Sequence, residues 1–275
     1  MIFTKMHGLG NDYVCINCFR ERVEDPPGFA RALCDRHYGI GADGLILICP
    51  SKVSDFKMEI YNSDGSVAGM CGNGIRCLGK YVYDYRLTGK ETLSIETKSG
   101  IRNMHLHIQD GKACGAMVDM GVPRLNAHSI PILSEKDLVI NDPIEVQKKN
   151  YRMTGISMGN PHAVIFSEEI NGISLEETGR ELEFHPRFPV RANIVFCHVT
   201  ARDRMEIRVW ERGVGETLAC GTGACAAVVA SVLNDLTDEE VIVKLLGGEL
   251  SVRWDRKVNH VFLEGPAVKV FDGVL

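Results

Sequence analysis

Two short stretches of the chain put a thiol where the backbone can help it work. Cys71-Gly72-Asn73-Gly74 and Cys220-Gly221-Thr222-Gly223 each set a cysteine before a Gly-x-Gly and a helix-forming segment. A helix start leaves its first N–H groups without intrahelical partners and carries the positive end of the helix dipole, so it favours an anion. A cysteine there is expected to ionise below the ~8.5 of a free thiol, which makes it a usable base or nucleophile. The glycines let the backbone approach a ligand, and the bare N–H groups can hold a carboxylate. One such stretch would suit a thiol enzyme or a small anion site. A pair of them suits a particular reaction: inversion of a carbon α to a carboxylate, with a thiolate removing the proton from one side and a thiol supplying one on the other.

The remaining cysteines read as packing. Cys15, Cys34, Cys49, Cys114 and Cys197 are assigned the common role of a small buried hydrophobe, and Cys77 and Cys225 lie further along the two helices. Cys15-Ile16-Asn17-Cys18 has C-x-x-C spacing, but it has no second pair and strand-like surroundings, so neither zinc nor redox use is expected. His105-Leu106-His107 puts two imidazoles on one strand face, read as a wet face in preference to a metal site. Gly221-Thr222-Gly223-Ala224-Cys225-Ala226 fits the spacing of a dinucleotide fingerprint. That fingerprint needs a tight turn straight after a strand, whereas the segment Glu211 to Cys220 intervenes here. No metal and no cofactor are expected.

The elements that position the two thiols repeat. Gly10-Asn11 and the run Tyr13-Val14-Cys15-Ile16 recur 149 residues later as Gly159-Asn160 and His162-Ala163-Val164-Ile165. At the same offset Gly44-Leu45-Ile46-Leu47-Ile48 answers Asn193-Ile194-Val195-Phe196-Cys197, and the alternating Phe56–Tyr61 answers Met205–Trp210. The thiol stretches obey it too. Several anchors at one offset imply an internal duplication and an α+β fold: two pseudo-symmetric halves, each a mostly antiparallel curved sheet around a central helix, with the active site in the cleft between them. The halves are expected at 1–118 plus 265–275, carrying Cys71, and at 119–264, carrying Cys220. The second helix, from about Gly223 to Leu233, is apolar on all sides and should be surrounded. The first, around Ile75–Val82, is more amphipathic and should be covered less completely.

Composition limits the partners. The 275 residues carry a net charge of −5 with 45% hydrophobic and 24% charged residues, an ordinary globular balance without the basic surplus that nucleic acid demands. The charge-free stretch Leu218–Leu233 falls short of the ~20 apolar residues of a bilayer span, so no membrane is expected. Ten cysteines, in a chain that opens Met1-Ile2-Phe3-Thr4 without a basic-then-apolar leader, point to a reducing, cytoplasmic setting.

Four blocks resemble those of the diaminopimelate epimerases: Met6-His7-Gly8-Leu9-Gly10-Asn11-Asp12, Cys71 to Cys77, Met158-Gly159-Asn160-Pro161-His162, and Trp210-Glu211-Arg212-Gly213 to Gly223. The resemblance implies a cofactor-independent isomerase that interconverts LL- and meso-2,6-diaminopimelate in lysine and peptidoglycan precursor biosynthesis. It implies Cys71 and Cys220 as the acid/base pair, with His162 and Glu211 helping to set their protonation. By the same likeness Gly72, Asn73, Gly221 and Thr222 hold the carboxylate at the reacting carbon. Asn11, Asn62, Asn160, Asn193, Glu211 and Arg212 line the rest of the pocket. A homodimer is implied as well. A small zwitterion charged at both ends suits such a set of amides, a carboxylate and a guanidinium fork. The chain departs from some members at Gly44, where a glutamine side chain would reach the substrate, leaving water or backbone to fill the place. It departs again at Phe271, where some carry a tyrosine at the dimer contact. A proline racemase or hydroxyproline epimerase is the rival on the same fold, and it would lack the distal-end set Asn62, Asn193 and Arg212.

Overall fold

The computed structural model describes residues Met1 to Leu275. The chain forms two compact units, Met1–Asp119 with Glu264–Leu275 and Met120–Leu263. No helix is long and apolar enough to cross a membrane.

In the first unit the strand Ile2–Gly8 runs antiparallel to Asn11–Asn17 on one side and to Val268–Val274 on the other. Asn11–Asn17 then lies parallel to Gly44–Cys49, which turns back antiparallel onto Phe56–Asn62. The hairpins Thr92–Thr97, Gly100–Gln109 and Lys112–Gly121 continue the sheet. Alternation decides which side chains meet which layer. Val14, Ile16, Leu45 and Leu47 form a core with Ala30, Leu33 and Cys34 of the helix Pro26–Cys34. Ile46 and Ile60 point the other way, to the helix Gly72–Asp84. A Cβ added at Gly74 of that helix would stand 2.9 Å from Ile46 Cδ1, the movable end of that side chain, so the helix start lies close on the strands.

The second unit repeats the order. Lys149–Ser157 pairs antiparallel with Pro161–Phe166, which is parallel to Asn193–Ala201; that strand is antiparallel to Arg204–Glu211, and Arg204–Glu211 is parallel to Glu240–Leu245. The registers repeat with the chain. Tyr13 lies beside Gly44, and His162 and Asn193, each 149 residues on, lie beside one another. The helix Gly221–Leu233 runs through this unit, buried from Gly223 to Ser231, while Ile144, Ile165, Ile194 and Phe196 belong to a core on the sheet. It begins two residues before the sequence expectation, because Cys220 itself is the capping residue.

The first-unit helix departs from its expectation more interestingly. It was to be the less covered of the two, yet Gly72 through Gly79 are all buried. Arg76 accounts for the difference. Its side chain is turned inward and fully buried, donating to the Gly72 carbonyl at 2.9 Å, Asn73 Oδ1 at 2.9 Å and the Pro266 carbonyl at 3.1 Å. The buried charge is satisfied internally by carbonyl and amide oxygens.

Candidate active site

Each thiol is the N-cap of its helix. Cys71 (φ −138°, ψ 121°) and Cys220 (φ −120°, ψ 105°) are both extended, and their sulfurs accept from the N–H three residues on, Gly74 at 3.5 Å and Gly223 at 3.4 Å. The sequence supports this locally: a residue with an acceptor side chain precedes glycines whose amides are unencumbered. The surroundings of the two sulfurs then differ.

Around Cys71, the Tyr13 hydroxyl stands 2.8 Å from Sγ, and Asn11 Oδ1 stands 3.6 Å from it. Asn11 is held at both ends of its amide. Its Nδ2 donates to Asp43 Oδ2 at 2.8 Å, and its Oδ1 accepts from Asn73 Nδ2 at 3.1 Å. Behind Asn11, Asp12 bonds Lys5 Nζ and Arg36 Nη2, each at 2.8 Å, and Arg36 also bonds Asp43 at 2.9 Å. Asn62, at the end of its strand, is exposed and donates to Ser66 Oγ at 2.9 Å.

Around Cys220, Thr222 Oγ1 lies 3.6 Å from Sγ and accepts from Asn160 Nδ2 at 3.3 Å, the counterpart of the Asn11–Asn73 bond. The Glu211 carboxylate also hydrogen-bonds the thiol, and its Oε1 accepts from Thr217 Oγ1 at 2.6 Å. Arg212 is exposed; its backbone N–H donates to Asn193 Oδ1 at 2.9 Å, and its Nη1 donates to the Val190 carbonyl at 2.8 Å. The other end of the Asn193 amide donates to the Pro161 carbonyl at 3.0 Å, so this side chain fastens the turn carrying Glu211 and Arg212 to the neighbouring strand.

A thiol acidified by its helix start is not what the structure gives at Cys220. Burial comes first in disfavouring the thiolate, and the negative Glu211 beside it adds to this. The donors Thr222 and Gly223 do not offset these effects, and the pKa lies well above that of a free thiol. Cys220 therefore rests as the protonated thiol. Replacing Glu211 by Gln should lower its pKa, since a like charge is removed. Alkylation of the Cys220 peptide as a function of pH reads this directly, and an unmoved or raised profile would contradict it. His162 is fully buried, and burial together with Arg212 pushes its pKa down to about 3, so it is neutral at ordinary pH. Its Nε2 lies 3.1 Å from Asn160 Oδ1, which can only accept; the proton is thus on Nε2, and Nδ1 is a buried acceptor without a partner.

The structure gathers Asn11, Asn73 and Cys71 in one unit, and Asn160, His162, Glu211, Thr222 and Cys220 in the other. Asn62 and the Arg212 side chain stand apart from the sulfurs in these bonds. Two residues escaped the sequence reading. Tyr13 had a signal, because it occupies the register of His162. Glu183 had none: it is buried, and its carboxylate accepts from Trp210 Nε1 at 2.8 Å and Gly213 N at 3.0 Å, bracing the Glu211–Arg212 turn from beneath. At Gly44 the space is filled by protein. A Cβ there would meet the Tyr61 carbonyl at 2.6 Å and the Tyr13 ring at 3.4 Å.

A family profile described as diaminopimelate epimerase matches residues 3–126 and 154–270. A diaminopimelate epimerase of Acetivibrio thermocellus is 53% identical over 273 residues, covering 99% of this chain and 98% of the relative. One of Methanococcus maripaludis is 50% identical over 273 residues, with 99% of both chains covered. Among solved structures, a hydroxyproline epimerase from Agrobacterium vitis superposes with a TM-score of 0.74 at 12% identity, over 99% of this chain and 90% of its own. A phenazine biosynthesis protein from Bacillus anthracis gives 0.69 at 17%, over 100% and 99%. At such low identities these two share the fold alone, whereas identity near one half over almost the whole length, together with a profile covering most of both units, makes the chain a member of the diaminopimelate epimerase family.

Proposed function

We propose that the protein interconverts LL- and meso-2,6-diaminopimelate by proton transfer at one α-carbon, with Cys71 and Cys220 serving its opposite faces. The observation that carries this is the pair of thiol-capped helix starts at equivalent places in two repeated units. One thiolate removes the α-proton, the carbanion is stabilised by its carboxylate, and the other thiol delivers a proton from the far side. The amides at Gly72, Asn73, Gly221 and Thr222 hold that carboxylate, where the helix starts stabilise the charge that builds up during transfer. Asn11 and Asn160 position the groups next to each sulfur, and Glu211 keeps Cys220 protonated. Asn62, Asn193 and Arg212 serve the distal amino-acid end, Asn193 by fixing the turn that bears Arg212. The neutral His162 contributes a fixed hydrogen bond to Asn160.

The reaction supplies meso-diaminopimelate to lysine and peptidoglycan precursor synthesis, and the ten free thiols suit the reducing cytoplasm. The protein works as a homodimer in this reading, supported by the strand Val268–Val274, which exposes Val270, Phe271 and Val274. Phe271 packs edge-on to Phe3, at 6.0 Å between ring centroids.

Incubation with LL-diaminopimelate in heavy water tests the assignment. The expected product is the meso isomer with one solvent deuterium at the inverted carbon. Retention of the α-hydrogen, or turnover of proline in place of diaminopimelate, would overturn it.

A further inference from the structure

We propose that Tyr13 is a catalytic residue of this site, its hydroxyl donating to the Cys71 sulfur when that sulfur is a thiolate and to Asn11 when it holds a proton. This rests on the reading of Cys71 as a proton-transfer group and assigns the means by which its charge is held.

The hydroxyl has two acceptors and one proton. Cys71 Sγ lies at 2.8 Å, and Asn11 Oδ1, itself 3.6 Å from that sulfur, is also within hydrogen-bond reach. The second acceptor cannot turn away. Asn11 Nδ2 is bound to the Asp43 carboxylate, so Oδ1 must face the hydroxyl. Asn73 is oriented in the same way, with its Oδ1 taken by Arg76 Nη2 and its Nδ2 directed at Asn11. A carboxylate at one end and a guanidinium at the other thus lock a row of amides whose only free choice is which atom the Tyr13 proton serves. The ring is fixed as well: Tyr13 is 4% exposed and lies beside Gly44 in the neighbouring strand.

Burial, and next to it the charge of Cys71, raise the Tyr13 pKa well above that of a free phenol, so the group donates and does not itself act as base. When Cys71 takes the α-proton, the Cα–H bond breaks, the S–H bond forms, and the electron pair stays on the carbon next to the carboxylate. Tyr13 then swings its O–H to Asn11 and returns when the sulfur ionises again. The second unit has no phenol here: His162 stands in the corresponding register, its ring bonds Asn160, and the hydroxyl beside Cys220 is that of Thr222, further off at 3.6 Å. The effect of Tyr13 should therefore fall on one thiol only.

Tyr13→Phe keeps the ring and removes the donor. Alkylation by iodoacetamide across pH, followed separately on the Cys71 and Cys220 peptides without substrate, should show the Cys71 profile rising by about one to two pH units with Cys220 unmoved. In turnover, kcat/KM should fall about tenfold or more, and equally in both directions, because the equilibrium constant is fixed. An unmoved Cys71 profile, or equal movement of both thiols, overturns the proposal. Because the alkylation assay needs no substrate, failure here is separate from failure of the epimerase reading, which full activity of Cys71→Ala would show instead.

Discussion

Cys71→Ala and Cys220→Ala should each lower conversion of LL-diaminopimelate by about 10²–10⁴-fold, the loss expected when a positioned acid or base is removed. The two variants should fail in different ways. Each retains one sulfur, and that sulfur can still exchange the α-hydrogen of the isomer it faces; each variant in heavy water is then expected to incorporate deuterium into one isomer without inverting it. Neither substitution should unfold the protein, because each removes one sulfur cap and leaves the helix packed beneath, a cost of about 1 kcal/mol. Near-normal conversion by either variant, measured by the appearance of the meso isomer, would refute the use of two thiols.

The second large effect concerns stability. Asp12→Asn should cost about 3 kcal/mol at neutral pH, because it leaves the Lys5 ammonium buried without its counter-charge. Lys5 and Asp12 side chains are only 9% and 16% exposed. Burial alone would raise the Asp12 pKa; the hydrogen bonds and charges of Arg36 and Lys5 outweigh it and hold the carboxyl at about 2, below the ordinary 3.8. A carboxyl with a depressed folded-state pKa stabilises the fold above the unfolded value, and the contribution is lost as pH falls from about 4 to about 2. Urea denaturation across that window should show wild type losing stability towards acid more steeply than Asp12→Asn. Parallel curves would show that the pair contributes nothing net.

Both thiols and their helices were legible because the relevant chemistry is local: a cysteine, two glycines and an apolar run suffice to specify a cap. The repeat was legible because equivalent strands preserve their spacing, and their registers follow it residue for residue. What escaped depends on side chains arriving from elsewhere. The helix-start rule treats Cys71 and Cys220 alike, yet one meets a phenol from an adjacent strand and the other a carboxylate from the turn beyond Trp210. The first helix was expected to be the less covered one, and its sequence does not show that Pro266, 190 residues away along the chain, offers Arg76 a carbonyl. Gly44 could be read as a missing contact, but only the packing shows Tyr13 occupying that side of the strand.

The return of Glu264–Leu275 to the first unit has a consequence for biogenesis. On the ribosome, Met1–Asp119 emerges early but lacks its Val268–Val274 strand and the Pro266 oxygen for Arg76 until the whole of Met120–Leu263 has been made. The middle unit is continuous in sequence, whereas the first unit has an open strand edge along Ile2–Gly8 until its last segment is made. Closure of the unit that carries Cys71 thus depends on residues made after the whole of the unit that carries Cys220.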